Sequence, residues 1–514
     1  MVPIRLERIP AILLELKAVA TRWFKYYVVW NKAVPFISGL VFVHAWVEYA
    51  LIAVLITHLT DEWLHLPRAA SIVNVQDGVT AVLALVVAYV SDAYLGPFLA
   101  VVCSTVAYII GLILLFFAAW RLESIELQLL YVALILVALG RAGRDIPLKD
   151  FLAYQFREEG SYVDEEQLES RRKIWWRPAY ILGICASVYV FANATWIELS
   201  KIAAIAMGVA FVLFLGGIAF KYKYKPPAKE SKLNNMLRIL RAAISKRHLS
   251  NSTPGNVIPM LRWLDKASVE EPSPSPAEQM RIGRLWSTED VQEVKILLSM
   301  VPLWTTFLAY GLLQATGNTF FYEQVGYMDS RLGRISKVPI VIFVIVKSST
   351  SFIVSRLCDS LFHSYWSQKV PRQVMLARIG AGMALSPFFL LGFMEGLVFD
   401  GMEEVFDGHV PESFRKYGPS FTQFALNIGN FVSLAFILIF HGLFNDNLDT
   451  SGLATYYALL AYICFVNFLF YCGVATYYAK ESYYEKDESR VEQELEQIQN
   501  LADSHEATDH QLAE

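Results

Sequence analysis

The chain has 514 residues, of which 55% are hydrophobic and only 18% charged, and its mean hydropathy is positive; a soluble domain carries about a quarter charged residues. A net charge of -4 excludes a nucleic-acid binder, which needs a basic surface to meet phosphates. The five cysteines form no CxxC pair and no His cluster lies at metal spacing, so neither a disulfide framework nor a metal site is expected.

Residues 1–35 mix charges through their apolar stretch and lack a small-residue cleavage site, so they read as a cytosolic N-terminal segment, not a signal peptide. A helix crosses the hydrocarbon in about 20 mostly apolar residues. Segments that meet this test run from Phe36 to Ile56, Ser71 to Ser91, Phe98 to Trp120, Leu127 to Phe151, Trp175 to Ala194 and Leu199 to Phe220. These make a first bundle of six helices over 36–220.

A polar stretch, 221–295, follows; it holds fourteen of the 44 Lys and Arg and a turn-rich EPSPSP run at Glu271 to Pro276. It reads as a linker. A second bundle, 296–479, supplies Ile296 to Phe321, Val338 to Leu361, Ile379 to Phe399, Phe421 to Phe440 and Leu453 to Tyr477. The count is eleven spans, an all-α membrane protein. Residues 480–514 form an acidic, solvated tail. The basic linker, with Arg157, Arg171, Arg172 and Lys173 after the fourth span, places the N-terminus and linker in the cytosol. Arg331, Arg334 and Lys337 after the seventh span run against that rule.

Two six-helix sets joined by a basic linker are the layout of major facilitator transporters, whose halves rock about a central site. More specific are SDAYLG (Ser91 to Gly96), FKYKYKPP (Phe220 to Pro227), SKRHL (Ser245 to Leu249), RWLDKA (Arg262 to Ala267), VQEVKILLSMVPLW (Val291 to Trp304), NTFFYEQ (Asn318 to Gln324) and LARIGAGM (Leu376 to Met383). Together they resemble the plant nitrate and peptide transporter family, the plant branch of the proton-dependent oligopeptide transporters, from about Phe36 to Tyr478. The resemblance implies a twelve-helix major facilitator fold and proton-coupled movement of nitrate, small peptides or other small organic solutes.

Departures from the family pattern define this chain. The first-helix E-x-x-E-R/K motif falls on Val41, His44 and Ala45, so its carboxylates and base are absent. In the fourth helix the pattern G-x-G-G-x-K-P becomes Gly140 to Ile146, with Asp145 where the family has lysine. Pro97 replaces a basic residue after the second helix, whereas Glu404 falls where the family keeps a tenth-helix carboxylate. Asp92 is assigned a structural role at a helix end. Between Arg378 and Glu395 there are sixteen uncharged residues, enough for one crossing and short of two. The ninth and tenth helices therefore read as fused.

Ionisable groups at membrane depth are costly and normally face a cavity or a partner. The pathway candidates are His44, Glu48, Arg141, Arg144, Asp145, Gln314, Lys347 and Glu404, with Asp77 also charged at depth. His44 and Glu48 lie one turn apart, either as a static pair or with His44 as a substitute proton carrier. Arg141 and Asp145 share that spacing before Pro147, whose missing N–H weakens the helix; a stabilised kink and a binding pair both fit. Lys347 has no acid within a turn, so it needs a partner on another helix or an anion in the cavity.

No nucleophile elbow, P-loop or metal motif is present, so neither enzyme chemistry nor a cofactor is expected. The expected function is alternating-access transport of a small polar or anionic solute, of the nitrate or small-peptide class, with proton coupling left open. A proton-independent facilitator or exchanger, and a non-transporting membrane protein of the same fold, are the alternatives. The expected partners are the solute, protons where coupling holds, and the lipid bilayer, and the expected location is the plasma membrane ahead of the vacuolar membrane.

Overall fold

A computed structural model describes residues 31–52, 55–62, 65–120, 126–157, 165–191, 195–220, 222–226, 232–248, 261–327, 341–365, 389–415, 417–444 and 452–478. Residues 1–30 of the N-terminal segment, the acidic tail, Arg331, Arg334, Lys337, LARIGAGM and the Ala384 to Pro387 junction lie outside the described residues. The expected fusion of the ninth and tenth helices falls at that junction.

The described chain is helical throughout. The first half comprises α1 (Val34–Ala50), α2 (Leu55–Glu62), α3 (Leu66–Val90), α4 (Gly96–Trp120), α5 (Glu126–Gly143), α6 (Lys149–Tyr154), α7 (Glu165–Phe191) and α8 (Trp196–Gly216). The first span thus continues past Ile56 as α2 and ends at two carboxylates, because its apolar face persists beyond the break. α7 starts ten residues before the expected Trp175, so the basic Arg171, Arg172 and Lys173 are helical, not loop. A helix can project from the hydrocarbon and carry its charges into water.

Two wide turns interrupt this half. Between α3 and α4, Ser91–Leu95 forms one π-helical turn, and Gly96 follows at φ +74°. Such a left-handed position suits a residue with no Cβ. Between α5 and α6, Arg144–Leu148 forms another π turn around Pro147, where the absent N–H and the ring disfavour a regular α-helical bond.

The described part of the linker is folded. It forms α9 (Lys232–Ser245), a 3-10 turn over Arg262–Ser268 and α10 (Pro276–Ile282). Lys295, 2% exposed, pairs with Asp265 at 2.6 Å. The buried Lys246 ammonium donates to the Val269 carbonyl at 2.5 Å, and burial lowers its pKa from the ordinary lysine value. The EPSPSP run wraps the buried Gln279, whose amide nitrogen donates to the carbonyls of Glu271 (2.8 Å) and Pro274 (2.6 Å). Leu233, Ile239, Ala242 and Ala243 of α9 share a core with Val291, Val294 and Leu297.

The second half contains α11 (Thr288–Ser299), α12 (Val301–Thr305), α13 (Leu308–Thr316), a π turn over Gly317–Phe321, α14 (Tyr322–Tyr327), α15 (Val341–Tyr365), α16 (Phe389–His409), α17 (Glu412–Arg415), α18 (Gly418–Ile439) and α19 (Leu453–Tyr478). The segment around Pro302 bends by 52° between Thr288–Thr305 and Leu308–Gln324. α13 and α18 approach backbone to backbone: a Cβ on Gly311 would meet the Leu426 carbonyl oxygen at 2.1 Å, and one on Gly429 the Gly311 carbonyl carbon at 2.2 Å. Only glycine permits that contact.

The halves meet along α3 and α18, where Asn74 donates to the Ser433 hydroxyl at 3.0 Å. At the linker end of this seam the Tyr417 hydroxyl donates to Asp92 at 2.5 Å and the Tyr89 hydroxyl to Asn234 at 3.3 Å. Asp92 thus ties the end of α3 to the start of α18.

Candidate functional site

A cavity of about 410 Å³ lies between the halves. α1 contributes Glu48 and Tyr49, with Ile52 just past its end; α3 contributes Val73, Asp77, Thr80 and Ala81; Arg141, Arg144 and Tyr180 complete the first wall. The second wall consists of Gln314, Asn318, Tyr322, Lys347, Ser348, Ser351, Glu395, Phe399, Gln423, Asn427 and Asn430. Of the pathway candidates, Glu48, Arg141, Arg144, Gln314 and Lys347 line it.

The first wall is an ion network. Arg141 and Arg144 are three residues apart, so they share a helix face, and the π turn starting at Arg144 widens the helix there. Arg141 donates to Asp77 and to Glu48, both at 2.8 Å. Arg144 donates to the other oxygen of Glu48, and its guanidinium lies 6.0 Å from the Tyr180 ring centre, within cation–π range. The shared carboxylate therefore bridges two guanidinium groups.

The second wall holds one ion pair. Lys347 meets Glu395 at 3.1 Å and donates to the Asn318 side-chain amide oxygen at 2.8 Å, while the Gln314 amide lies 3.5 Å from the other Glu395 oxygen. Tyr49 and Ser348 touch hydroxyl to hydroxyl across the cavity at 3.4 Å.

The partners differ from several expectations. His44 does not pair with Glu48; it is 2% exposed and stacks on Tyr108, with ring centres 5.0 Å apart and planes at 4°. Glu48 is instead taken by the arginines, which offer two charge-assisted bonds where a neighbouring imidazole offers one. Arg141 binds Asp77 and Glu48, and of Asp145 only the backbone is described. Lys347 finds its partner on another helix.

Glu404 is exposed and absent from the cavity wall. It follows Glu395 by nine residues, about two and a half helical turns, which puts the two on opposite faces of α16. Glu395 was missed, although a lone carboxylate in the apolar run FFLLGFMEG carries its own warning. The amides of α18 gave a weaker signal: Gln423, Asn427 and Asn430 are spaced four and three apart, one helix face inside an apolar span.

The model of the POT family (PTR2) matches residues 98–395, more than half of the chain. The chain belongs to the POT family. Its relatives include Protein NRT1/PTR FAMILY 5.6 of Arabidopsis thaliana, 25% identical, with 86% of this chain and 90% of that one covered. Protein NRT1/PTR FAMILY 5.7 of the same plant is 27% identical, with 86% and 87% covered. Among solved structures, the POT family transporter PepTSo aligns with a TM-score of 0.63 at 16% identity, covering 89% of this chain and 99% of its own. A peptide transporter POT solved in complex with sulfate aligns at 0.61 and 12% identity, covering 88% and 95%. This POT-family chain is thus a multi-pass membrane transporter of the major facilitator fold, not an enzyme.

Proposed function

We propose that this POT-family chain carries a small dipolar organic solute, of the peptide class, through the cavity between its halves by alternating access. The observation that carries this reading is charge balance. Among the described residues each cavity cation already faces a carboxylate: Arg141 meets Glu48 and Asp77, Arg144 meets Glu48, and Lys347 meets Glu395. A bare anion such as nitrate would have to displace a carboxylate and leave it unpaired in a low-dielectric setting, which is costly. A solute with both charge signs satisfies a cation and the displaced carboxylate together.

Transport by this chain is proposed to run without proton coupling through the positions of the family's first-helix motif. Val41 and Ala45 are fully buried aliphatic groups, and the His44 ring is stacked away from the cavity lining. Reconstitution in vesicles with dialanine and nitrate, at two pH values, tests both statements. Dialanine uptake that varies little with external pH supports them; nitrate uptake without dialanine uptake, or steep acid stimulation, contradicts them.

A further inference from the structure

The charged groups of the cavity sit on α1, α3, α5, its π turn, α15 and α16, whereas the face of α18 brings only carboxamides: Gln423, Asn427 and Asn430. Their spacing of four and three residues stacks them along one helix face. Asn427 donates to the Gln423 backbone carbonyl at 2.7 Å, and Asn430 donates to the Asn427 amide oxygen at 2.8 Å. These two bonds fix the orientation of Asn427 and pre-arrange the stripe. A carboxamide has two donor hydrogens and an acceptor oxygen with two lone pairs, so most of the capacity of the three groups remains for the cavity. Gln314 and Asn318 add two more amides beside Lys347 and Glu395.

Paired donors and acceptors held rigidly match a solute that offers the reverse pair on neighbouring atoms. A peptide amide does so, and so does a vicinal diol. A compact inorganic anion has acceptors only and gives the amide oxygens nothing to bind. The cavity volume of about 410 Å³ falls within the ~300–1,000 Å³ that holds small organic ligands.

We propose that this face of α18, with Asn427 at its centre, is the selectivity element of the site: it selects organic solutes whose uncharged part carries adjacent hydrogen-bond donors and acceptors, while the ion pairs hold the charged ends. The proposal rests on the cavity being the solute site. It places the discrimination among charged solutes on a helix without cavity charge.

The test measures binding of three probes to the purified full-length protein in detergent by titration calorimetry: dialanine, glucosaminate (a zwitterionic amino sugar acid with vicinal hydroxyls) and nitrate. The wild type is expected to bind dialanine or glucosaminate at least about tenfold more tightly than nitrate, and the better organic probe tells amide from diol. Asn427→Leu and Gln423→Leu are expected to weaken that probe about three- to tenfold each, the worth of one hydrogen bond, and to leave nitrate unchanged. Thermal unfolding of each variant confirms its fold, and Asn427→Ala replaces Asn427→Leu if the latter does not fold. Equal or tighter nitrate binding, failure of both organic probes to bind, or unchanged affinity in the variants overturns the proposal. Failure of the underlying site looks different: Asp77→Asn and Glu395→Gln then leave every measured affinity as in the wild type.

Discussion

The two walls of the cavity solve the same problem, charge at membrane depth, in opposite ways. On the first wall four charged groups are cross-linked: Glu48 serves two arginines and Arg141 serves two carboxylates. On the second wall one pair, Lys347 with Glu395, sits among amides and hydroxyls. The network loses two ion pairs when either of its central members, Glu48 or Arg141, leaves, whereas a single pair can trade its partner for a solute group at the loss of one contact. The contrast assigns rigidity to the first wall and solute exchange to the second.

The largest effect is expected where the network is densest. Glu48→Gln removes the carboxylate that both arginines share, and is expected to destabilise the protein by about 3–5 kcal/mol and abolish uptake. Thermal unfolding in detergent and vesicle uptake measure the two losses. A stability change below ~1 kcal/mol would show that water in the cavity already screens the network and would erase the contrast between the walls.

The second wall should behave as a pair. Glu395→Gln and Lys347→Met are each expected to cost about 2–3 kcal/mol, because either leaves one charge unmatched. The double variant is expected to regain most of that stability without regaining uptake. A double-mutant cycle reads the coupling; strictly additive losses would mean that the two side chains do not depend on each other.

Smaller effects lie away from the cavity. Tyr417→Phe removes the hydrogen bond to Asp92 and is expected to cost about 1 kcal/mol while raising the reactivity of cysteines placed at the linker end of α3. Unchanged reactivity would show that this bond does not help hold the halves together. In the linker, burial lowers the pKa of Lys246. The unfolded linker therefore holds that proton more tightly, and linker stability should rise with pH between the folded and the ordinary lysine pKa values. Trp286 fluorescence on thermal unfolding, from about pH 7 to pH 10, is expected to show this rise in the wild type and not in Lys246→Met.

Much of the architecture was legible in the sequence, because a transmembrane helix announces itself by length and hydropathy alone. The linker was read as polar connection since its folding depends on buried polar groups, Lys246, Lys295 and Gln279, which composition marks as exposed. Five of the six charged groups of the cavity, all but Glu395, were legible because charge at membrane depth is rare. What failed was partner choice. His44 and Glu48 are neighbours along one helix, yet Glu48 bonds groups some 93 and 96 residues away. Glu404 and Glu395 share a helix, and only its rotation, set by packing against α15, decides which one meets Lys347. Distances along the chain carry no information on either point.

The most direct test of a solute held between both walls is protection from a thiol reagent. In a variant from which the five native cysteines have been removed, Thr80→Cys on the first wall and Ser348→Cys on the second are labelled separately with and without dialanine. A two-walled site predicts that dialanine slows labelling at both positions, and that Glu395→Gln abolishes the protection. Protection at one position alone, or at neither while uptake continues, contradicts it.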